Sequence, residues 1–239
     1  MKPPAQGVAG AGGIKSTTVV HKQAQVANDD AQVSAETGFF LPSNDRHFGE
    51  HLKKAGGYQI ATCQRLIKLS DTHETVLDIG AHVGLFSQPL SEVFQTVVAF
   101  EPVPTNFECL QKNVKNKNAI LINAGIGKWG ARKMYLHKGD NSGSWTHTEM
   151  EDVETGLAPI IPLDLFSFTG VISAIKMDIQ GMETEALQSG EKLLLAHKPL
   201  ICVEAKSKYG EDKTIQAYLE SIGAVVVDQV NKDLFLKWG

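Results

Sequence analysis

The sequence predicts an α/β fold with a doubly wound, mostly parallel sheet of seven strands that ends in an antiparallel hairpin. Seven short apolar runs of strand length carry this prediction. Helical segments separate most of the runs, and a glycine-containing turn follows the first run directly. Strands that alternate with helices form parallel sheets through right-handed crossovers, so we expect helices on both faces of the sheet.

The individual elements follow from the periodicity of apolar residues. The predicted strands are Thr75–Ile79, Thr96–Phe100, Ala119–Ile122, Ala174–Met177, Leu200–Val203, Ala224–Val227 and Asp233–Leu236. The predicted helices are Tyr58–Leu69, Pro104–Asn116, Glu183–Ala196 and Asp212–Ile222. The last two strands are too close in sequence for a crossover helix, so they should pair as an antiparallel hairpin.

The chain divides into two regions by composition. Residues 1–38 contain no aromatic residue and no leucine, so they bury too little apolar surface to offset their chain entropy. We therefore predict a flexible N-terminal arm, which is either functional or a tail without function, such as a cloning remnant. Residues 39–239 are long enough for one complete core, and we assign them to a single domain.

A long insertion, Gly125–Leu163, interrupts the alternation of strands and helices. It is rich in glycine and contains a polar stretch over residues 138–144. Insertions of this kind lie above the carboxyl edge of an α/β sheet or along its side, and they carry substrate contacts. We expect a lid over an acceptor molecule, with candidate acceptor-binding residues Asn141, Ser142 and Ser144.

Charge and cysteine content exclude several classes of function. The 239 residues include 23 Lys and Arg and 27 Asp and Glu, and this net charge of −4 gives no strong signal for nucleic-acid binding. Cys63, Cys109 and Cys202 lie far apart without a histidine at zinc-ligand spacing, which disfavours a structural zinc site and suits a reducing compartment. No apolar run approaches the length of a membrane span, so we expect a cytoplasmic protein.

Four predicted strands end in an acidic residue: Asp78, Glu101, Asp178 and Glu204. Because the carboxyl ends of parallel strands meet at one edge of a sheet, we expect the four side chains to surround one crevice. Alternatively, each acid caps the helix that follows it. Four like charges repel unless a cation or hydrogen-bond donors neutralise them, which favours a positively charged ligand. No residue pattern requires a metal, although clustered carboxylates leave magnesium open.

The sharpest motif is Asp-Ile-Gly-Ala-His-Val-Gly over residues 78–84, between the first strand and the next helix. Gly80 allows a tight turn, and Gly84 allows the helix to pack closely. Backbone N–H groups at a helix start can hold a carboxylate or phosphate. Glu101 ends the second strand, where an acidic side chain accepts hydrogen bonds from ribose hydroxyls.

Two kinds of ligand use a turn of this type. A dinucleotide needs glycine at position 82 so that its pyrophosphate can approach, but position 82 is histidine. S-adenosylmethionine brings a sulfonium cation, an amino acid and a ribose, with no phosphate. The charge argument therefore favours S-adenosylmethionine as the cofactor.

These motifs resemble the FkbM-type family of class I S-adenosylmethionine-dependent methyltransferases. The resemblance runs from about residue 41 to 237, through the blocks Val76–Gly84, Phe100–Pro102, Asn123–Gly127, Ile161–Asp164, Lys176–Glu183 and Val203–Glu204. It implies a Rossmann-like sheet of seven strands, S-adenosylmethionine as methyl donor, and transfer usually to a hydroxyl oxygen. Gln180 stands where such sequences often carry Glu.

The resemblance also implies a cofactor site, position by position. Its candidate residues are Asp78, Gly80, Ala81, His82 and Gly84 at the methionine end, Glu101 and Pro102 at the ribose, and Asn123 and Ala124 at the adenine.

Methyl transfer from a sulfonium needs an acceptor oxygen held in line with the methyl group, and a base assists removal of the hydroxyl proton. Asp178 is the first candidate for that base and His147 in the insertion is the second. Asp178 alternatively offsets the sulfonium charge or caps a helix. Glu204 is a candidate acceptor contact, and Glu183 either serves the site or stabilises the N-terminal end of its helix.

The leading functional hypothesis is O-methylation of a hydroxyl on a small molecule or glycan. The alternatives are methylation of a nucleotide, lipid or protein, a non-catalytic S-adenosylmethionine-binding module, and an NAD-dependent oxidoreductase. The sequence leaves a homo-oligomer open.

Overall fold

A computed structural model of the chain describes residues 31–33, 38–43, 45, 59–136, 145–146, 155–205 and 211–239. The helices are α1 (Ile60–Leu69), α2 (Ser87–Ser91), α3 (Pro104–Asn113), α4 (Glu183–Gln188), α5 (Glu191–His197) and α6 (Glu211–Ser221). The strands are β1 (Ala31–Val33), β2 (Phe40–Pro42), β3 (Thr75–Ile79), β4 (Thr96–Phe100), β5 (Ala119–Ile122), β6 (Gly125–Ile126), β7 (Gly130–Leu136), β8 (Trp145–Thr146), β9 (Thr155–Ile161), β10 (Ile172–Met177), β11 (Leu200–Glu204), β12 (Ala224–Val230) and β13 (Asp233–Trp238). Within these described residues, no helix combines the length and the apolar composition needed to cross a bilayer.

The main sheet has seven strands in the order β12-β13-β11-β10-β3-β4-β5. The five strands from β11 to β5 are parallel, and β13 runs antiparallel to both β11 and β12. Every residue of β3 and β10 is buried, as expected for central strands that are covered on both faces. The predicted fold class, including the C-terminal hairpin, is confirmed.

Helices cover both faces of this sheet. Leu66 of α1 and Leu90 of α2 pack with Val76 on one face. Leu219 of α6 belongs to the cluster around Leu77 on the other face. Because neighbouring residues of a strand point to opposite sides, β3 alone contributes to both layers of the core.

One predicted helix is interrupted in the structure. The segment predicted as a single helix over residues 183–196 forms α4 and α5, with the chain turning at Gly190. A Cβ atom at Gly190 would lie 2.7 Å from the Leu163 side chain, so the close approach of the chain there requires glycine. Asp164 then accepts the backbone N–H of Leu193 at 2.9 Å and caps the start of α5.

The insertion forms a second, four-stranded sheet in the order β6-β9-β7-β8. Alternate residues of β9 are buried, which gives this sheet one inward face. The Glu185 carboxylate of α4 holds the sheet in place, because it accepts hydrogen bonds from Arg132 Nη2 at 2.6 and 2.7 Å and from the Lys128 backbone at 2.8 Å. The described part of the insertion is therefore paired strands rather than an extended lid loop.

An N-terminal segment packs against the back of α3. Strand β1, which lies inside the predicted arm 1–38, pairs antiparallel with β2. Asn113 of α3 donates to the carbonyls of Phe40 at 2.9 Å and Val83 at 2.7 Å, and its Oδ1 accepts the Phe40 N–H at 2.7 Å. The domain boundary at residue 38 stays a prediction, but the described part of the arm is paired with β2.

The three cysteines are buried and carry free thiols. Burial raises the pKa of the Cys63 thiol to about 12 and that of Cys109 to about 11, so neither forms a thiolate at physiological pH. The cysteines therefore serve as small buried residues of the core.

Candidate functional site

Asp78 lies beneath the glycine turn. Its side chain is fully buried and its Oδ2 accepts a hydrogen bond from Ser87 Oγ at 2.6 Å, while Lys176 Nζ lies 3.6 Å from its Oδ1. The carboxylate therefore supports the turn from below. It does not line the crevice, although the sequence had suggested that it would.

Lys176 is a buried cation of the site, and no role was predicted for it from the sequence. It faces Asp78 across neighbouring strands β10 and β3, donates to the Gly80 carbonyl at 3.2 Å, and has its Nζ 4.9 Å from the centroid of the Phe86 ring. A lysine inside an otherwise apolar, buried strand is the signal that points to such a pair, because lysine is rarely buried without a partner.

The turn after β3 is attached to the end of β4. The N–H groups of Gly80 and Ala81 both donate to the Phe100 carbonyl, at 3.0 and 2.9 Å, and the Gly84 N–H donates to Ala81 at 2.9 Å. Gly80, His82 and Gly84 all have positive φ angles, of 83°, 52° and 95°. These bonds fix the turn at the carboxyl edge of the sheet.

Gly80 is required by the protein's own backbone. A Cβ atom at this position would lie 2.1 Å from the Asp178 carbonyl oxygen. A side chain at this position would therefore collide with the loop after β10. Gly84 has a similar role, because a Cβ atom there would lie 2.7 Å from the Val114 side chain just beyond α3.

Glu101 is buried at the end of β4. Its Oε2 accepts the His82 N–H at 2.8 Å, and its Oε1 accepts the Val103 N–H at 2.9 Å and lies 3.5 Å from Asn106 Nδ2. Burial raises the pKa of Glu101 to about 7, although the backbone donors Val103 and His82 oppose this shift. A carboxylate oxygen has two acceptor positions, so Oε2 retains capacity for a ribose hydroxyl.

Asn123 joins the loops that follow β4 and β5. Its Nδ2 donates to the carbonyls of Glu101 at 2.7 Å and Pro102 at 3.2 Å, and Ala124 beside it is buried. The structure thus brings together the four residues expected at the ribose and adenine.

The loop after β10 is held by Glu183. Its carboxylate accepts the N–H groups of Ile179 and Gly181, each at 2.9 Å, so it fixes the loop that precedes α4. Gln180 has φ 56° and its Nε2 donates to Asp178 Oδ1 at 2.8 Å. Glutamine at position 180 therefore supplies a donor to the candidate base, which an ionised glutamate does not.

The His82 imidazole stays neutral at physiological pH. Burial, together with the Lys176 cation, lowers its pKa to about 3, and the charge of Asp178 offsets only part of this shift. Its backbone N–H, bound to Glu101, is the group that shapes the site.

Internal donors neutralise three of the four strand-end carboxylates. Asp78 has Ser87 and Lys176, Glu101 has two backbone N–H groups, and Asp178 has the Gln180 amide. These carboxylates therefore do not by themselves require a cationic ligand, because the Lys176 side chain is already a cation within the site. Among the described residues, no group of three or more His, Cys, Asp or Glu is placed to hold a metal ion.

Several candidate residues are not brought into the site by the described structure. His147, Asn141, Ser142 and Ser144 lie outside the described residues. Glu204 ends β11, opposite Asp233 in register. Their proposed contacts with an acceptor remain predictions.

The arrangement fits S-adenosylmethionine. Within the described part of the chain, no group accepts a hydrogen bond from the backbone N–H of Leu85, which is partly exposed beside the turn, so this donor is available to the cofactor's carboxylate. Glu101 Oε2 can accept from the ribose. Lys176 is buried beneath the turn, so it is not placed to bind a pyrophosphate.

Comparisons with known proteins agree with this assignment. The family model "Methyltransferase FkbM domain" matches residues 78–226. No curated protein matches the chain. Among solved structures, the chain is similar to an FkbM methyltransferase from Methylobacillus flagellatus KT, with 22% identity, TM-score 0.44, and coverage of 70% of this chain and 43% of that one. The chain thus spans less than half the length of that protein.

The chain is also similar to two further solved structures. TYW2 from M. jannaschii, in complex with AdoMet, is 18% identical with TM-score 0.42, covering 89% of this chain and 88% of that one. An rRNA methylase from Streptococcus thermophilus is 14% identical with TM-score 0.44, covering 74% of this chain and 94% of that one. The family match over most of the seven-stranded domain decides the assignment: the chain belongs to the FkbM family of S-adenosylmethionine-dependent methyltransferases.

Proposed function

We propose that this chain transfers a methyl group from S-adenosylmethionine to a hydroxyl oxygen on a small molecule or glycan. The observation that carries the proposal is the contact between the glycine turn and the loop after β10. The Asp178 carbonyl lies 2.1 Å from where a Gly80 Cβ would be, so the candidate base adjoins the turn that would hold the methyl donor.

The cofactor would be held along the carboxyl edge of the sheet. The N–H group of Leu85 would bind its carboxylate, and Glu101 would accept from its ribose. Asn123 would set the edge against which the adenine packs, because it fixes the loop after β5 to that after β4. Each of these groups is positioned by hydrogen bonds within the chain, so little reorganisation accompanies binding.

When bound, the cofactor supplies a methyl group on a sulfonium. The chain's part is to orient the acceptor and to take its proton. Gln180 holds the Asp178 carboxylate through Oδ1 at 2.8 Å, and this carboxylate would accept the proton of the acceptor's hydroxyl group as its oxygen takes the methyl group. The carboxylate would then release that proton to water.

The test is transfer of labelled methyl groups from S-adenosylmethionine to separated pools of small molecules and glycans, RNA, lipid and protein. We expect label in the first pool. Label confined to RNA, lipid or protein would contradict the proposed acceptor. Binding of S-adenosylmethionine by calorimetry without any transfer would instead support a non-catalytic module, and binding of NAD alone an oxidoreductase.

Asp178→Asn should keep S-adenosylmethionine affinity within a few-fold and lose about 10²- to 10⁴-fold in transfer rate, because the amide keeps the shape but does not take a proton. Asp71→Asn makes the same chemical change at an exposed position paired with Lys237, and should leave the rate unchanged. A near-wild-type rate and pH profile for Asp178→Asn would remove Asp178 as the base.

A further inference from the structure

Lys176 and Asp78 form a buried ion pair at the floor of the glycine turn. Their side chains are 8% and 0% exposed, and Nζ lies 3.6 Å from Oδ1. The ammonium also donates to the Gly80 carbonyl at 3.2 Å, so it contacts the turn itself. Ser87 on α2 completes the cluster through Asp78 Oδ2.

This pair makes the floor of the turn electrically neutral. Asp78 alone would place a negative charge beneath the site, and Lys176 cancels it. The field of the Lys176 cation extends across the turn, since it contributes to lowering the pKa of His82 and acts in the same direction on Glu101. A change in either member of the pair therefore changes the potential where a ligand on the turn would lie.

We infer that the Lys176–Asp78 pair keeps the floor of the turn from biasing the discrimination between S-adenosylmethionine and S-adenosylhomocysteine, an inference that rests on the proposed function. The two ligands differ in that the first carries a sulfonium cation and the second a neutral thioether. A net negative floor would favour the charged ligand, and a net positive floor would favour the neutral product. With both charges present, neither preference arises from the floor.

A neutral floor also suits the reaction. Positive charge leaves the sulfur during transfer, so a fixed negative charge beneath it would stabilise the ground state more than the transition state. Lys176 prevents this loss. It acts through Asp78 and the Gly80 carbonyl and is a positioning residue.

The experiment measures the dissociation constants of both ligands by calorimetry for the wild type, Lys176→Met, Asp78→Asn and the double variant. A unit charge acting through an effective dielectric of about 20 changes the affinity of a cation about tenfold at a separation of about 12 Å. Lys176→Met should therefore shift the ratio of the two constants about tenfold toward S-adenosylmethionine. Asp78→Asn should shift it by a similar factor toward S-adenosylhomocysteine.

The double variant removes both charges and should restore the wild-type ratio to within about twofold. Lys115→Met is the matched control, because it removes one positive charge at an exposed lysine just after α3 and should leave the ratio unchanged. If the pair has a purely structural role, its loss should weaken the binding of both ligands equally. An unchanged ratio of the two dissociation constants in the single variants therefore overturns the inference. If Lys176→Met does not fold, Asp78→Asn and the double variant provide the same comparison. A wild type that binds neither ligand would refute the proposed function, and the inference with it.

Discussion

Lowering the pH from 8 to 6 should weaken the binding of S-adenosylmethionine about ninefold, because Glu101 loses the charge that strengthens its hydrogen bonds to the ribose. Burial raises the pKa of Glu101 to about 7. About 90% of the Glu101 side chains are then ionised at pH 8 and about 10% at pH 6. A ninefold difference in the population of the carboxylate corresponds to about 1.3 kcal/mol of binding free energy.

The same pKa shift acts on folding with a defined sign. The pKa of Glu101 is about 7 in the folded chain against an ordinary value of 4.5, so the folded state binds more protons than the unfolded state between these values. Stability therefore decreases as the pH rises from about 4.5 to 7. A difference of about 2.5 pKa units corresponds to about 3 kcal/mol.

The assay is calorimetry at pH 6, 7 and 8 on the wild type and on Glu101→Gln, with thermal melting of the unliganded proteins over pH 5 to 8. Glutamine does not titrate, so the difference between the two proteins also removes the titration of the cofactor's own amino group. Alanine would be a poorer choice, because glutamine keeps one acceptor oxygen for the backbone N–H groups of His82 and Val103 and alanine keeps none. Parallel affinity profiles for the two proteins from pH 6 to 8 would refute the reasoning.

Three further predictions concern the frame of the site. Gly80→Ala should fail to fold or melt far below the wild type without any cofactor present, whereas Gly223→Ala, at φ 100° with no atom within 4 Å of the added Cβ, should lower the free energy of unfolding by only about 1–2 kcal/mol. Asn113→Ala should lower the free energy of unfolding by about 2–3 kcal/mol in urea denaturation, because it leaves backbone groups of β2 and the turn unpaired; a loss below 0.5 kcal/mol would contradict this. Deleting residues 1–30 should leave the melting temperature unchanged, and deleting residues 1–38 should lower it, since the second change also removes β1; equal melting temperatures would show that β1 contributes nothing.

Several strands of the main sheet could be predicted from the local composition of the sequence. The predicted bounds of β3, β4 and β5 agree with the structure, since β4 and β5 are mostly apolar runs between polar residues and β3 is a similar run interrupted only by Asp78. The turn could also be predicted, because it contains glycine at positions 80 and 84. Both residues have positive φ angles, which glycine adopts easily.

Contacts between distant segments could not be predicted in this way. The pairing of Lys176 with Asp78 depends on the register of β10 against β3, which are about a hundred residues apart in sequence and adjacent only in the folded sheet. The small sheet of the insertion was missed because β6 and β8 have only two residues each, and the longer strands β7 and β9 contain glycine or proline, which are depleted in strands. The break between α4 and α5 depends on Leu163, which lies well before the break in sequence and leaves no room for a side chain at Gly190.

The clamp made by Asn113 has a consequence for the order of events during synthesis. Phe40 in β2 finds both of its backbone partners on a side chain 73 residues later in the chain. On the ribosome, β2 is therefore made long before α3 exists to receive it. Leu41, which is buried in the folded protein, stays accessible to chaperones during that interval. A change that slows translation between β2 and α3 would lengthen the time for which this apolar segment can be captured or cleaved.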